Sequence, residues 1–355
     1  MNVRALQRSL VLAAVALSAA PATGLAAERG LAKETVTISG RAYAFNHMDT
    51  YLEGATIRVR EDRKLSAVTD ANGDYELEVP TDTTVTPYID PPEGYNEIDL
   101  QTFHTRSKDI ENANFQTPAD AEYNALAGLL GALYDVQFTP DGRPAECVIV
   151  TTSSARNVRG VDYQTFWDRT PHGVAGATST AEPALPDPTY FNENVIPDPN
   201  QPSSSDDGGI IWPVVSAGHY RVMTDSPDTD FASFLANCKP GRIINANPPW
   251  GAYELAAGEK PLRAGTAVGG IDALEASKKA VKVTLGAGEA LEARVKLKSG
   301  ERTESSKELS LPVGTTKLKL PFYKGARGAS GEVVLKLTDA AGDKVKSTEN
   351  VGLPK

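Results

Sequence analysis

Between Val36 and Val85, apolar and polar residues alternate in short runs: "VTISGRAY", "EGATIRVRE", "DYELEVP" and "TTVTPYI". Gly, Asp and Pro separate the runs. A period of two puts successive side chains on opposite faces of a strand, so the pattern predicts antiparallel strands with one buried face. Ala55, Ile57 and Val59 share one face, and Tyr75, Leu77 and Val79 share another. "TDANGDYELEVP" at 69–80 then reads as a turn entering a strand, with Asp and Asn as turn formers and Gly supplying positive φ. A calcium loop of the EF-hand kind needs Gly at its sixth position, with its first Asp as position one. Counted from Asp70 that place is Tyr75, so the spacing rejects calcium.

The pattern recurs. "GVAGATST" at 173–180 repeats the Gly-Ala-Thr of 54–56, and "SDDGGIIWPVVSAGHYRVM" at 205–223 repeats the turn and the strands after it. An offset of 136 maps Thr69 on Ser205, Gly73 on Gly209, Tyr75 on Ile211 and Val79 on Val215. The second copy is 14 residues longer between its two motifs, through a Pro-rich insert at 182–205 that carries Tyr190 and Phe191. Two diverged copies of one small β-sandwich explain this most simply.

The residues "ISGRAY", "LEGATIRVRE" and "TDANGDYELEVP" resemble the carboxypeptidase regulatory-like domain, a transthyretin-like sandwich of seven strands. The resemblance covers about 33–104 well and 144–225 weakly. It implies an accessory module of secreted proteins without catalytic residues of its own. No His-Glu-x-x-His motif accompanies it.

The first residues carry Arg4 and Arg8, an apolar run over 10–20, and small residues to Ala27. This is the pattern of a secretory signal peptide. No later run reaches the roughly 20 apolar residues of a spanning helix, so no membrane span is expected. Export meets an oxidising compartment, where Cys147 and Cys238 most simply form one disulfide. They lie 91 positions apart, a loop whose closure is worth about 4 kcal/mol on the chain-entropy model. The expected location is the exterior or the periplasmic side of a bacterial envelope.

Charge divides the chain. From residue 257 onward there are 18 Lys and Arg against 12 Asp and Glu, leaving −16 for the part before it. An acidic body excludes nucleic acid, which calls for clustered cations. The shift also marks a domain boundary. Beyond it, "VKVTL", "LEARVKLK", "TKLKLP" and "EVVLKLTD" alternate again and predict an Ig-like sandwich with solvated lysines. Between the first two copies the period changes: Leu126, Leu129, Leu130, Leu133 and Tyr134 fall on one helical face after Pro118. A helix with this stripe should cover an open side of a sheet.

The expected fold class is therefore all-β: tandem transthyretin-like and Ig-like β-sandwiches with one short connecting helix. The expected organisation is a signal peptide at 1–27, a first sandwich at 28–116, the helix at 117–136, a second sandwich at 137–256 and the Ig-like sandwich at 257–355.

Chemistry has few candidates. The four histidines form no paired motif. Intradiol dioxygenases share the transthyretin-like fold and hold iron with two Tyr and two His. This makes Tyr163, His172, Tyr190 and His219 an alternative metal set. That family's histidines are separated by one residue, and here position 221 is Arg. The plainer reading makes His172 a turn residue and His219 an exposed strand residue. No Gly-x-Ser-x-Gly elbow and no Tyr-Arg-Gly-Ser signature occurs. The chain is thus read as no enzyme, with no cofactor. It is read as a binding or scaffold protein for an envelope polysaccharide or protein partner. Candidate contact residues are Trp167, Tyr190, Phe191, Trp250 and Tyr253, aromatics at places the alternation does not bury.

Overall fold

The computed structural model describes residues 35–161, 163–260 and 266–355. The signal-peptide segment 1–27 lies outside the described residues. Among them the chain is all-β, with two helices: α1 (Asp120–Tyr134) and a six-residue α2 (Tyr163–Asp168) that periodicity did not indicate.

In the first sandwich, strand Thr35–Ala44 is central. It pairs antiparallel with Asp74–Pro80, and its end pairs parallel with Phe115–Thr117. A facing sheet has Thr56–Val59 between Ser66–Val68 and Pro87–Asp90. Ala55, Ile57, Val59, Tyr75, Leu77 and Val79 all point into the core between them, as the alternation predicts.

The second sandwich has the same plan. Strand Cys147–Thr152 pairs antiparallel with Gly209–Val215 and parallel with Ile243–Ala246. Strands Thr178–Glu182, Gly218–Asp225 and Phe234–Cys238 form its facing sheet. The Cys147–Cys238 disulfide joins the two sheets.

The main bonds of the turn motif are repeated. Ala55 N–H donates to Thr69 Oγ1 at 2.9 Å, and Ala177 N–H donates to Ser204 Oγ at 2.9 Å. These two hydroxyls donate onward to the carbonyls of Leu52 and Val174. Gly73 N–H reaches Asp70 O, as Gly208 N–H reaches Ser205 O. Thr69 therefore corresponds to Ser204 and Gly73 to Gly208, an offset one residue short of that read from sequence. A β-bulge between Cys147 and Ile149 absorbs the difference, so Trp212 stands opposite Ile149 while Val215 still enters the core. Both turn glycines have φ in the left-handed region, +73° and +79°. A Cβ on Gly73 would lie 2.3 Å from the Ala42 carbonyl oxygen, so only glycine fits.

The third sandwich has a three-stranded sheet of Gly269–Ala276, Ala280–Ala287 and Gly314–Pro321. It faces a four-stranded sheet in the order Arg302–Leu311, Leu291–Ser299, Ser330–Thr338, Lys344–Gly352. This is an Ig-like arrangement, and Val281, Val283, Leu285, Leu291, Val295 and Leu297 form its core. Its edge strand Arg302–Leu311 is charged and largely exposed, which discourages pairing with another chain.

Hydrogen-bonded seams join the sandwiches. Asp99 N–H donates to Ile243 O and Asp99 O accepts from Asn245 N–H, both at 2.8 Å, so one segment of the first sandwich borders the second sheet. The Asp99 carboxylate is fully buried there between Arg60 and Arg242. Burial pulls the Arg60 guanidinium down, but its bonds to Asp99 and Glu97 more than offset this and hold it charged above its usual range. Toward the third sandwich, His219 Nε2 lies 2.9 Å from Asp272 Oδ1 and Lys239 Nζ donates to Asp272 O at 2.7 Å. His219 is thus a buried interface residue rather than an exposed one. The absence of side chains at Gly270 and Gly286 makes room for its ring, since a Cβ at either would lie 2.7 Å from it.

Candidate functional site

The stripe on α1 is only partly covered. Leu130 packs on Val148, Phe191 and Ile211, the outward side of the second sandwich's main sheet, whereas Leu126 and Leu133 stay exposed. Glu122 steadies the start of this helix by accepting the Ala119 N–H. Between Leu126, the loop end of the first sandwich at Phe45 and the second sheet lies a cavity of about 140 Å³. Phe45, Ile98, Leu126, Val150, Phe166, Phe191, Val195 and Ile243 supply most of its apolar lining. His172, Asp207, Asn245 and Asn247 supply polar groups, and no Lys or Arg is among the described residues that line it.

The local sequence explains each placement. Asp207 stands in the repeated turn, where its amide donates to Ser205 Oγ and its Oδ2 accepts Gly209 N–H at 3.1 Å. Burial pushes the Asp207 carboxyl up, and the Gly209 amide opposes that. Gly209 has no side chain to displace the Phe191 ring, which a Cβ would meet at 2.7 Å. Phe166 of α2 stacks on His172 with ring centroids 4.3 Å apart. Asn245 and Asn247 alternate along and just beyond strand Ile243–Ala246. Asn247 Oδ1 accepts from Thr152 Oγ1, while Asn245 Oδ1 is buried without a hydrogen-bond partner. At the rim, Val195 holds φ at +61° and is 41% exposed. This conformation is uncommon for a β-branched residue, and such strain gathers at functional sites.

The aromatic candidates fall in different places. Phe191 lines the cavity. Tyr190 is buried in the second core, and its hydroxyl accepts Ser179 N–H at 2.9 Å. Tyr253 is 3% exposed and lies under the Arg159 guanidinium. Trp250 packs edge-on to Phe103 and donates Nε1–H to Glu111 O at 2.9 Å, joining the second sandwich to the first. The expectation of exposed rings is thus corrected for Tyr190, Phe191 and Tyr253: insert and interface cover what alternation alone leaves open. The side chains of Tyr163 and Trp167 lie outside the described residues, though both belong to α2.

The alternative metal set does not gather. His172 stacks on Phe166 beside the cavity, Tyr190 serves the core, and His219 pairs with Asp272 at the seam to the third sandwich. Among the described residues no group of three or more His, Cys, Asp or Glu is disposed to hold a metal.

Sequence reasoning passed over Asp207 and Asn245 as cavity-lining residues. Asp207 was visible only as a turn former, and Asn245 only as one step of an alternating strand.

No family model and no curated protein matches the chain. Among solved structures it is similar to a DUF3823 family protein from Bacteroides ovatus, at 8% identity over 58% of this chain and 99% of that one, with a TM-score of 0.22. It is also similar to a streptococcal ancillary pilin, at 7% identity over 91% and 100%, with a TM-score of 0.20. A Ca2+-stabilized adhesin of an Antarctic bacterium gives 13% identity over 91% and 69%, with a TM-score of 0.19. Scores this low carry no functional argument, so the class is read from the chain itself: joined β-sandwiches with a mixed-polarity cavity beside α1.

Proposed function

We propose that this chain is an exported, non-catalytic binding scaffold. Its first two sandwiches belong to the carboxypeptidase regulatory-like type, and its cavity beside α1 receives an envelope partner. The observation that carries this reading is the cavity: three separate parts of the chain converge to line it, and its rim leaves Leu126 and Val195 exposed. Clefts with apolar walls and a few convergent polar groups are the usual form of a ligand site. Among the envelope partners considered, an apolar rim suits a protein better than a hydroxyl-covered polysaccharide. The disulfide fits an exported chain.

The test compares the full chain with Leu126→Arg, a change at an exposed helix position. Retention is measured separately on immobilised envelope protein and on envelope polysaccharide. Retention by the protein fraction that the substitution abolishes, at unchanged Tm, supports the reading. Retention indifferent to Leu126→Arg would refute the cavity as the binding site.

A further inference from the structure

Resting on that reading of the cavity as the binding site, we infer that its occupant is an aromatic ring carrying a positively charged nitrogen close by. Size comes first. A dry apolar cavity of roughly 150 Å³ takes one benzene molecule, and the volume here is about 140 Å³. One six-membered ring fills it. Phe166 and Phe191 offer ring faces and edges to such a group, and Val150 and Leu126 offer aliphatic contact.

The polar lining then selects the substituent. Asp207 is the one carboxylate among the lining residues, and no lining Lys or Arg balances it. Its Oδ2 takes the Gly209 amide, and among the described residues no donor is bonded to Oδ1. With His172 the one basic side chain among the described lining residues, the Asp207 carboxylate favours an ammonium or other N–H donor and disfavours a carboxylate. The dominance of apolar lining sets an aromatic ring above an amino sugar, whose hydroxyls would lose their water partners here.

The experiment titrates the full exported chain with phenethylammonium, phenylacetate and glucosamine, read by calorimetry. The account expects phenethylammonium to bind at least about tenfold more tightly than either other probe, equivalent to ~1.4 kcal/mol. Asp207→Asn, which keeps an acceptor for the Gly209 amide, should erase that preference over phenylacetate. Leu126→Arg should remove binding of all three. Equal binding of phenethylammonium and phenylacetate to the unaltered chain overturns the charged-nitrogen assignment, and tighter glucosamine overturns the aromatic one. Absence of all binding overturns the inference alone if envelope protein is still retained through Leu126; loss of that retention too would sink the reading beneath it.

Discussion

The two repeated sandwiches share a turn and differ in what surrounds it. In the first, the strand pair ends in Arg41 opposite Asp74, and the two side chains form an ion pair of 2.7 Å at the edge of an open polar cleft that Val68 also lines. In the second, the same register position holds Thr152 opposite Gly209. Losing both charged side chains lets Phe191 lie against the Gly209 backbone and turns Asp207 toward a cavity that α1 and Phe45 help enclose. The lesson is that one turn geometry accommodates either a charged ladder pair or an apolar cavity, depending on which side chains stand at a single ladder position.

The largest expected effect lies where the repeats are joined. Trp250→Ala should cost about 3 kcal/mol, the low end for a large aromatic because the ring is partly exposed, as read by denaturant unfolding. A loss under about 1 kcal/mol would mean that the seam contributes little. Next, Gly73→Ala and Gly208→Ala should each cost roughly 2–3 kcal/mol, because both require positive φ and both meet neighbouring backbone. Similar losses sharpen the repeat; a harmless Gly208→Ala breaks it.

The third sandwich provides a pH readout. Burial, eased by Lys239 and worsened by Glu61, pushes the Glu349 carboxyl up to about 7. The folded chain therefore holds this proton more tightly than the unfolded chain, whose carboxyl titrates near 4.5. This contribution to stability is fully present below about pH 4.5 and is lost as pH rises to about 7, by roughly 2–3 kcal/mol. Glu349→Gln should flatten that segment of the pH–stability curve, and an unchanged slope would locate the titration elsewhere. The smallest effect belongs to the ion pair that the second repeat lacks. Arg41 and Asp74 are 36% and 46% exposed, so Asp74→Ala should cost about 0.5 kcal/mol or less.

Much of the fold was legible because alternation is a local property. Each strand face named from the sequence, Ala55, Ile57 and Val59 and likewise Tyr75, Leu77 and Val79, is buried. The helix was legible from its period, and the disulfide from the expectation that two cysteines pair in an oxidising compartment. The repeat register slipped by one because a bulge restores the core position of Val215 while displacing everything before it. The cavity was not legible at all. Its lining comes from Phe45, Leu126, Val150, Phe166, Val195 and Ile243, positions scattered over about two hundred residues, and only tertiary packing brings them together. The same packing hid the aromatics: Trp250 and Tyr253 stand in a loop without periodicity, where burial is decided by another part of the chain.

The most direct test of the contrast between the repeats is methyl NMR of the full chain during titration with phenethylammonium. Methyl signals of Leu126, Val150 and Val195 should move together and saturate together, while Val68, beside the corresponding cleft of the first repeat, stays in place. Equal movement at Val68, or none at the three cavity methyls, would contradict the proposal that the binding site lies in the second sandwich and not in the first.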